Sequence, residues 1–120
     1  MINRTERVAH LLKKEITLIL QEEANDPLIG RVVITDVQVT RDLNSANVYY
    51  NIPDKDPKKK EETLKALNRA GRFVRGKLAK RVALKYVPTV SFREDINEEK
   101  LETLDDVFRK IEKEKERGES

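Results

Sequence analysis

Apolar residues recur at helical spacing near the N-terminus of the 120-residue chain. They return every third or fourth position, which places them on one face of a helix. These positions are Val8, Leu12, Ile16, Ile19 and Leu20. Asn3 or Thr5 can cap this helix, and Thr5 has the better pattern because Glu6 follows it before the apolar positions begin. The helix is expected to end near Glu23, before Pro27.

Alternation of apolar and polar residues predicts two strands after this helix. In the first, Val32–Thr40, the residues expected to share a face are Val33, Thr35, Val37 and Val39. In the second, the alternating residues are Ala46, Val48, Tyr50 and Ile52. The polar turn at 41–45 is expected to join the two strands as an antiparallel hairpin. A third strand, Thr89–Arg93, is predicted after Pro88.

Two further helical segments meet at a glycine. The first begins near Lys58 and has Leu64 and Leu67 on its buried side. The second continues to Ala83, and its apolar positions are Phe73, Val74, Leu78 and Val82. A glycine inside a helix costs about 1 kcal/mol relative to alanine. Gly71 is therefore predicted to form a kink or short turn, with backbone N–H groups at the start of the second helix available to phosphate.

The element order is then helix, strand, strand, helix, helix, strand, helix. Residues 1–96 are predicted to form one α+β domain. An additional C-terminal helix and a frayed tail are predicted for 97–120, with Asn97 as the cap. The apolar stripe of this last helix is Leu101, Leu104, Phe108 and Ile111.

The charge is distributed unevenly along the chain. The formal net charge is +3, from 25 Lys and Arg against 22 Asp and Glu. The window from Thr63 to Arg93 contains nine basic residues and no acidic one, which leaves 16 basic and 22 acidic residues elsewhere, a net charge of −6. Such a segment repels itself unless a polyanion or the protein's own carboxylates neutralise it. Phosphate backbones are the polyanion that fits, since binding releases their counterions.

Seven of these cations are predicted to contact the phosphates of RNA. They are Arg69, Arg72, Arg75, Lys77, Lys80, Arg81 and Lys85. If four or five of them do so, log affinity should fall with log salt at a slope of about −3, at roughly −0.7 per contact. Tyr49 and Tyr50 point to opposite faces of a strand, so one belongs to the core and the other is available to stack on a base.

The composition argues against several other functions. The chain has no cysteine, which excludes thiolate metal sites and thiol nucleophiles, and its only histidine is His10. No metal, cofactor or catalytic residue is predicted, because no serine has the surroundings of a nucleophile. Neither a signal peptide nor an apolar run of roughly 20 residues is present, so a soluble, cytoplasmic protein is expected.

Several stretches, in this order, resemble the bacterial ribosome-binding factor A family. They are RVAHLLKKEITLIL, DPLIG, VVITDVQVT, DLNSANVYY, LNRAGRFVRGKLAKRVALKYVP and SFREDINEE, and together they cover nearly the whole chain. The resemblance implies a type II KH-like domain, α-β-β-α-α-β, with a three-stranded sheet. It also implies a monomer that binds the free 30S ribosomal subunit and its 16S rRNA, assists late subunit maturation and rRNA processing, and has no catalytic activity.

The family replaces the GXXG loop of KH domains with a helix kink of Ala-x-Gly pattern, and no GXXG occurs in this chain. The aligned residues are Ala70, Gly71 and Arg72, so the glycine lies one place early. Either Gly71 is the pivot of the kink or the two helices join more smoothly.

Two other functions remain open from the sequence. One is a double-stranded RNA-binding module, which also sets a basic helix against a sheet. The other is a protein-interaction adaptor that acts through the C-terminal helix and need not bind RNA. Co-sedimentation with small subunits at moderate salt distinguishes the adaptor from a maturation factor.

Overall fold

The computed structural model describes residues 3–22 and 25–96, which form two helices and three strands. In chain order these are α1 (Arg4–Glu22), β1 (Val33–Val39), β2 (Ser45–Asn51), α2 (Pro57–Arg81) and β3 (Thr89–Glu94). The predicted α+β class and three-stranded sheet are confirmed. The helix and tail predicted for 97–120 lie outside the described residues.

The sheet has the order β1-β2-β3. β2 pairs antiparallel with β1, as the hairpin prediction required, and parallel with β3. Its alternation holds, because Ala46, Val48 and Tyr50 are all buried. α1 packs on β1, α2 packs on β3, and the two helices contact each other. The core therefore lies between one helical layer and one face of the sheet.

The buried face of β1 differs from the prediction at its first residues. Ile34 pairs with Tyr50 and Asp36 pairs with Tyr49, so Thr35 is the extra residue of a β-bulge. Because the bulge reverses the alternation, Ile34 is buried and Val33 is 60% exposed. The Thr35 hydroxyl instead donates a hydrogen bond to the Asp95 carboxylate.

The cap of α1 also differs from the preferred prediction. Helix α1 begins at Arg4, and the Asn3 side chain accepts a hydrogen bond from the backbone N–H of Glu6 at 2.9 Å. The Thr5 hydroxyl donates to the same Asn3 oxygen at 2.7 Å. Asn3 is therefore the capping residue, and Thr5 lies within the first turn.

The prediction of two separate helices meeting at Gly71 is wrong, because α2 is one continuous helix of 25 residues. Of the two alternatives for this position, the smooth join agrees with the structure. Asp56 caps its start by accepting a hydrogen bond from the Lys58 N–H at 3.0 Å, and Pro57 occupies the first turn. Leu67, Val74 and Leu78 are buried on both sides of the glycine. Their packing exceeds the roughly 1 kcal/mol that one glycine costs a helix. The helix has no second N-terminus at Gly71, so the predicted phosphate site there is also wrong.

Candidate nucleic-acid interface

Cationic side chains cover the side of α2 that faces away from the core. At 100° per residue, Arg69, Arg72 and Lys80 lie roughly opposite the buried Leu67, Val74 and Leu78, and all three cations are exposed. Arg69 and Lys80 are about 16 Å apart along the helix axis, at 1.5 Å per residue. The continuous helix thus places several positive charges along one line.

Of the seven residues predicted to contact phosphate, six form no ion pair with a carboxylate of residues 3–22 and 25–96. We call these six residues the cationic surface. They are Arg69, Arg72, Arg75, Lys77, Lys80 and Lys85. The alternative that the protein's own carboxylates neutralise the basic window therefore does not hold for these six within the described part of the chain.

Arg81 is the exception among the seven. Its guanidinium forms ion pairs with the carboxylates of Glu15, at 3.8 Å, and Glu22. The Arg81 side chain is 28% exposed and that of Glu15 is 15% exposed, so both charges are partly shielded from water. These contacts join the end of α2 to α1, which gives Arg81 a structural role.

Arg75 and Lys77 of the cationic surface also contact neighbouring groups. The Arg75 guanidinium donates a hydrogen bond to the Val87 carbonyl oxygen at 3.3 Å, which ties the loop after α2 to the helix. The Lys77 ammonium lies 5.4 Å from the centroid of the Phe73 ring, a cation–π distance. Neither contact neutralises the charge, so both residues remain available to an anion.

The kink motif lies on the continuous helix and not at a joint. Ala70 and Gly71 are half-buried and Arg72 is exposed. Apart from its chain neighbours and the surrounding turns of helix backbone, a Cβ atom built on Gly71 or on Gly76 would meet no atom within 4 Å. Neither glycine is therefore required by close packing in the described structure, and no left-handed backbone angle requires one at either position.

Tyr86, which was not predicted as part of the interface, follows Lys85 of the cationic surface and is 71% exposed. The Lys85 ammonium lies 5.6 Å from the centroid of its ring. Of the two strand tyrosines, Tyr50 is in the core and Tyr49 is half-buried, with its hydroxyl 3.5 Å from the Gln38 carboxamide oxygen. The sequence signal for Tyr86 was an aromatic residue next to a cation in the acid-free window.

Neither a metal site nor a membrane span is found in the described residues. Across 3–22 and 25–96, no three His, Asp or Glu side chains are grouped closely enough to hold a metal ion. No helix in those two ranges is both long enough and apolar enough to cross a bilayer.

The fold and the charge distribution together define the class of this protein, a small α+β domain with one unbalanced cationic helix surface. Comparison with known families narrows the class further. The chain belongs to the ribosome-binding factor A family, whose sequence profile matches residues 4–108.

Similar sequences and similar solved structures belong to the same family. Ribosome-binding factor A of Desulfitobacterium hafniense (strain DSM 10664 / DCB-2) is 39% identical over 120 residues, covering 98% of this chain and 95% of its own. The crystal structure of ribosome-binding factor A from Thermus thermophilus has the same fold, with a TM-score of 0.68, 24% identity and coverage of 77% of this chain and 97% of that one.

A third comparison involves a complex. It is a homology model of the Thermus thermophilus ribosome binding factor A, fitted into the cryo-EM map of a 30S–RbfA complex. The TM-score is 0.53 at 26% identity, and the match covers 72% of this chain and 93% of that one.

Proposed function

We propose that this protein binds the small (30S) ribosomal subunit through the cationic surface and contacts the phosphates of its 16S rRNA. The observation that carries this proposal is that the six cations of this surface have no carboxylate partner in the described residues. Family membership supports the choice of partner, since a relative of the same fold has been fitted into a 30S complex.

The binding energy is proposed to come mainly from counterion release. Each Lys or Arg that neutralises a phosphate frees condensed cations from the RNA, so affinity depends steeply on salt. A continuous helix presents its cations at fixed spacing, which reduces the entropy lost on binding. The surface therefore favours an RNA whose phosphates already lie at matching positions.

Assistance with late subunit maturation and rRNA processing is proposed to follow from binding alone. A protein that binds one local RNA arrangement more tightly than another shifts the population toward the first. This requires no covalent chemistry, and we propose that the protein is not an enzyme. It is proposed to act as a monomer in the cytoplasm, where the subunits are assembled.

The domain is proposed to be a variant of the type II KH-like fold. The order α1-β1-β2-α2-β3 matches that fold if its two middle helices are fused into α2. Fusion would remove the usual joint that contacts RNA, which is consistent with a surface that binds through side-chain cations. A separate C-terminal helix at 97–120 remains part of this proposal.

Co-sedimentation of the full chain with purified 30S subunits, over a series of salt concentrations, tests the function. Four to six phosphate contacts predict a slope of log affinity against log salt between about −3 and −4. Crosslinking from Arg72 would then map the contacted rRNA. A flat salt response, or the absence of co-sedimentation at low salt, would contradict the proposal.

A further inference from the structure

A polar pocket lies where the loop after α2 passes the β1–β2 turn and the start of α1. Its volume is about 170 Å³, and its walls hold two cations and one carboxylate: the lining residues are Arg4, Asp42, Leu43, Asn44, Leu84, Lys85 and Tyr86. A cavity of about 150 Å³ is large enough to hold one benzene ring. The pocket is therefore of a size that admits a single flat ring.

Tyr86 is the feature of this pocket that lacks a structural role. At 71% exposure it buries little apolar surface, so packing does not explain a large aromatic residue at this position. Lys85 places its ammonium group 5.6 Å from the centre of the ring. An exposed aromatic ring beside a cation is the combination on which unpaired bases stack.

The turn that forms one wall is held in place by hydrogen bonds. The Asp42 carboxylate accepts from the Thr40 hydroxyl at 2.6 Å and from the Asn44 N–H at 3.0 Å. These bonds lower the pKa of Asp42, since they favour its charged form. They also hold Leu43 at a φ of 61°, a left-handed conformation that is costly for leucine. The turn is thus fixed before any ligand binds.

The loop that carries Tyr86 is held at both ends. The Arg75 guanidinium donates to the Val87 carbonyl at 3.3 Å, and the Val82 N–H donates to the Leu78 carbonyl at 2.9 Å. The Thr89 N–H then donates to the Asn44 carbonyl at 2.9 Å, which joins the loop to the β1–β2 turn. A preformed pocket loses less entropy on binding than one that must order itself.

The polar groups of the pocket suit a nucleotide. The Asn44 carboxamide nitrogen donates to Asp42 at 3.2 Å, which fixes the amide and leaves its oxygen as an acceptor for the edge of a base. Arg4 and Lys85 supply positive charge for a phosphate. Because Lys85 also belongs to the cationic surface, an RNA strand that follows α2 reaches this pocket.

We propose that the pocket takes one unpaired nucleotide of RNA, with its base stacked on Tyr86 and its phosphate close to Lys85 and Arg4. This inference rests on the proposed function, since it requires RNA as the partner. It adds a contact that requires an unpaired base, and therefore single-stranded RNA. The phosphate contacts of α2 do not depend on whether the RNA is paired.

Full-chain variants at Tyr86 test the pocket. Stacking of one base predicts that Tyr86→Ala weakens binding to 30S subunits about 5- to 150-fold, with no change in the salt slope. Tyr86→Phe keeps the ring and is the matched control, so its affinity should be within about twofold of the unaltered protein. Lys85→Ala should instead make the slope less negative by about 0.7. Because Tyr86 is exposed, thermal melts should show that both Tyr86 variants remain folded.

A second measurement compares a single-stranded oligoribonucleotide with its duplex. The unaltered protein should prefer the single strand, and Tyr86→Ala should lose that preference. Equal affinities of Tyr86→Ala and the unaltered protein, or equal losses in Tyr86→Ala and Tyr86→Phe, would overturn the pocket while leaving the proposed function intact. Failure of the unaltered protein to bind RNA or subunits would overturn both.

Discussion

The two helices pack on the same face of the sheet, but their exposed sides differ. Helix α1 carries both signs of charge, with four basic residues and three acidic ones between Arg4 and Glu22. The part of α2 from Leu64 to Arg81 carries seven basic residues and no acidic one. The buried sides are alike because both cover the sheet. The exposed side of α2 is thus a feature that folding does not require, and the proposed contact with RNA would account for it.

The largest effect is a loss of stability, expected from substitution on the buried side of α2. Leu78 is fully buried, so Leu78→Ala should lower the free energy of unfolding by about 2 to 5 kcal/mol. Lys80, two residues on, is exposed, and Lys80→Ala should change the same quantity by less than about 0.5 kcal/mol. Chemical denaturation of both variants measures this. Equal losses would show that the two sides of α2 do not differ as described.

The next largest effect is expected on the affinity for 30S subunits and not on the stability of the fold. The triple variant Arg69→Ala, Arg72→Ala and Lys80→Ala removes three phosphate contacts. At roughly −0.7 per contact, the salt slope should become less negative by about 2, and affinity for 30S subunits should fall about 100-fold in 0.1 M salt.

The matched control removes three exposed cations from α1, by substituting Arg7, Lys13 and Lys14 with alanine. Its net charge is the same as that of the α2 triple variant. If the control loses as much affinity, overall charge and not the surface of α2 determines binding.

Arg81 distinguishes the structural role of α2 from its proposed role in binding RNA. Because it pairs with Glu15 and Glu22, Arg81→Ala should destabilise the fold by about 1 kcal/mol. The salt slope for 30S binding should stay unchanged. Thermal melts and co-sedimentation of the same preparation measure both quantities. A changed slope with an unchanged melting temperature would show that Arg81 contacts phosphate instead.

Gly71 tests whether the continuous helix is the functional form. Alanine fits at this position without contact, so Gly71→Ala should raise the free energy of unfolding by about 0.5 to 1 kcal/mol. Gly76→Ala, which also fits, is the control and should give a similar gain. A loss of RNA affinity in Gly71→Ala alone, with the fold retained, would restore the pivot role.

The smallest effect is a pH dependence of stability, expected from Tyr50 in the sheet that both helices cover. Burial, and to a lesser degree the charge of Glu94, raise the pKa of Tyr50 above its usual value of 10.0. The folded state therefore holds this proton more tightly than the unfolded state. The resulting stability is fully present below about pH 10 and is lost as pH rises through the higher pKa. Tyr50→Phe should flatten this alkaline decline in the free energy of unfolding.

Local patterns predicted the elements, and interactions between distant segments explain the errors. The alternation of β2 correctly placed Ala46, Val48 and Tyr50 in the core. The bulge at Thr35 depends on pairing with β2, which the residues of β1 alone do not indicate. The continuity of α2 through Gly71 depends on the burial of Leu67 and Val74 against other elements, which the residues around the glycine alone do not indicate.

In the candidate site too, local sequence indicates some features, and others depend on contacts between distant segments. The acid-free window identified the cations because charge is a property of the sequence itself. The partners of Arg81 come from α1, 59 and 66 residues earlier in the chain. The pocket at Tyr86 combines Arg4 and Asn44 with the loop after α2. Neither arrangement is visible before the fold brings these segments together.

The length of α2 has a mechanical consequence. Twenty-five residues in one helix span about 37 Å, and both ends are anchored to other elements, near the start by the Lys60–Glu94 ion pair with β3 at 2.8 Å and at Arg81 by α1. A rod held in this way resists bending along an irregular strand, so we expect conformational adjustment on association to occur mainly in the nucleic acid. An immature subunit whose RNA is still mobile would adapt to the rod, whereas a rigid mature subunit would bind only if its shape already matched.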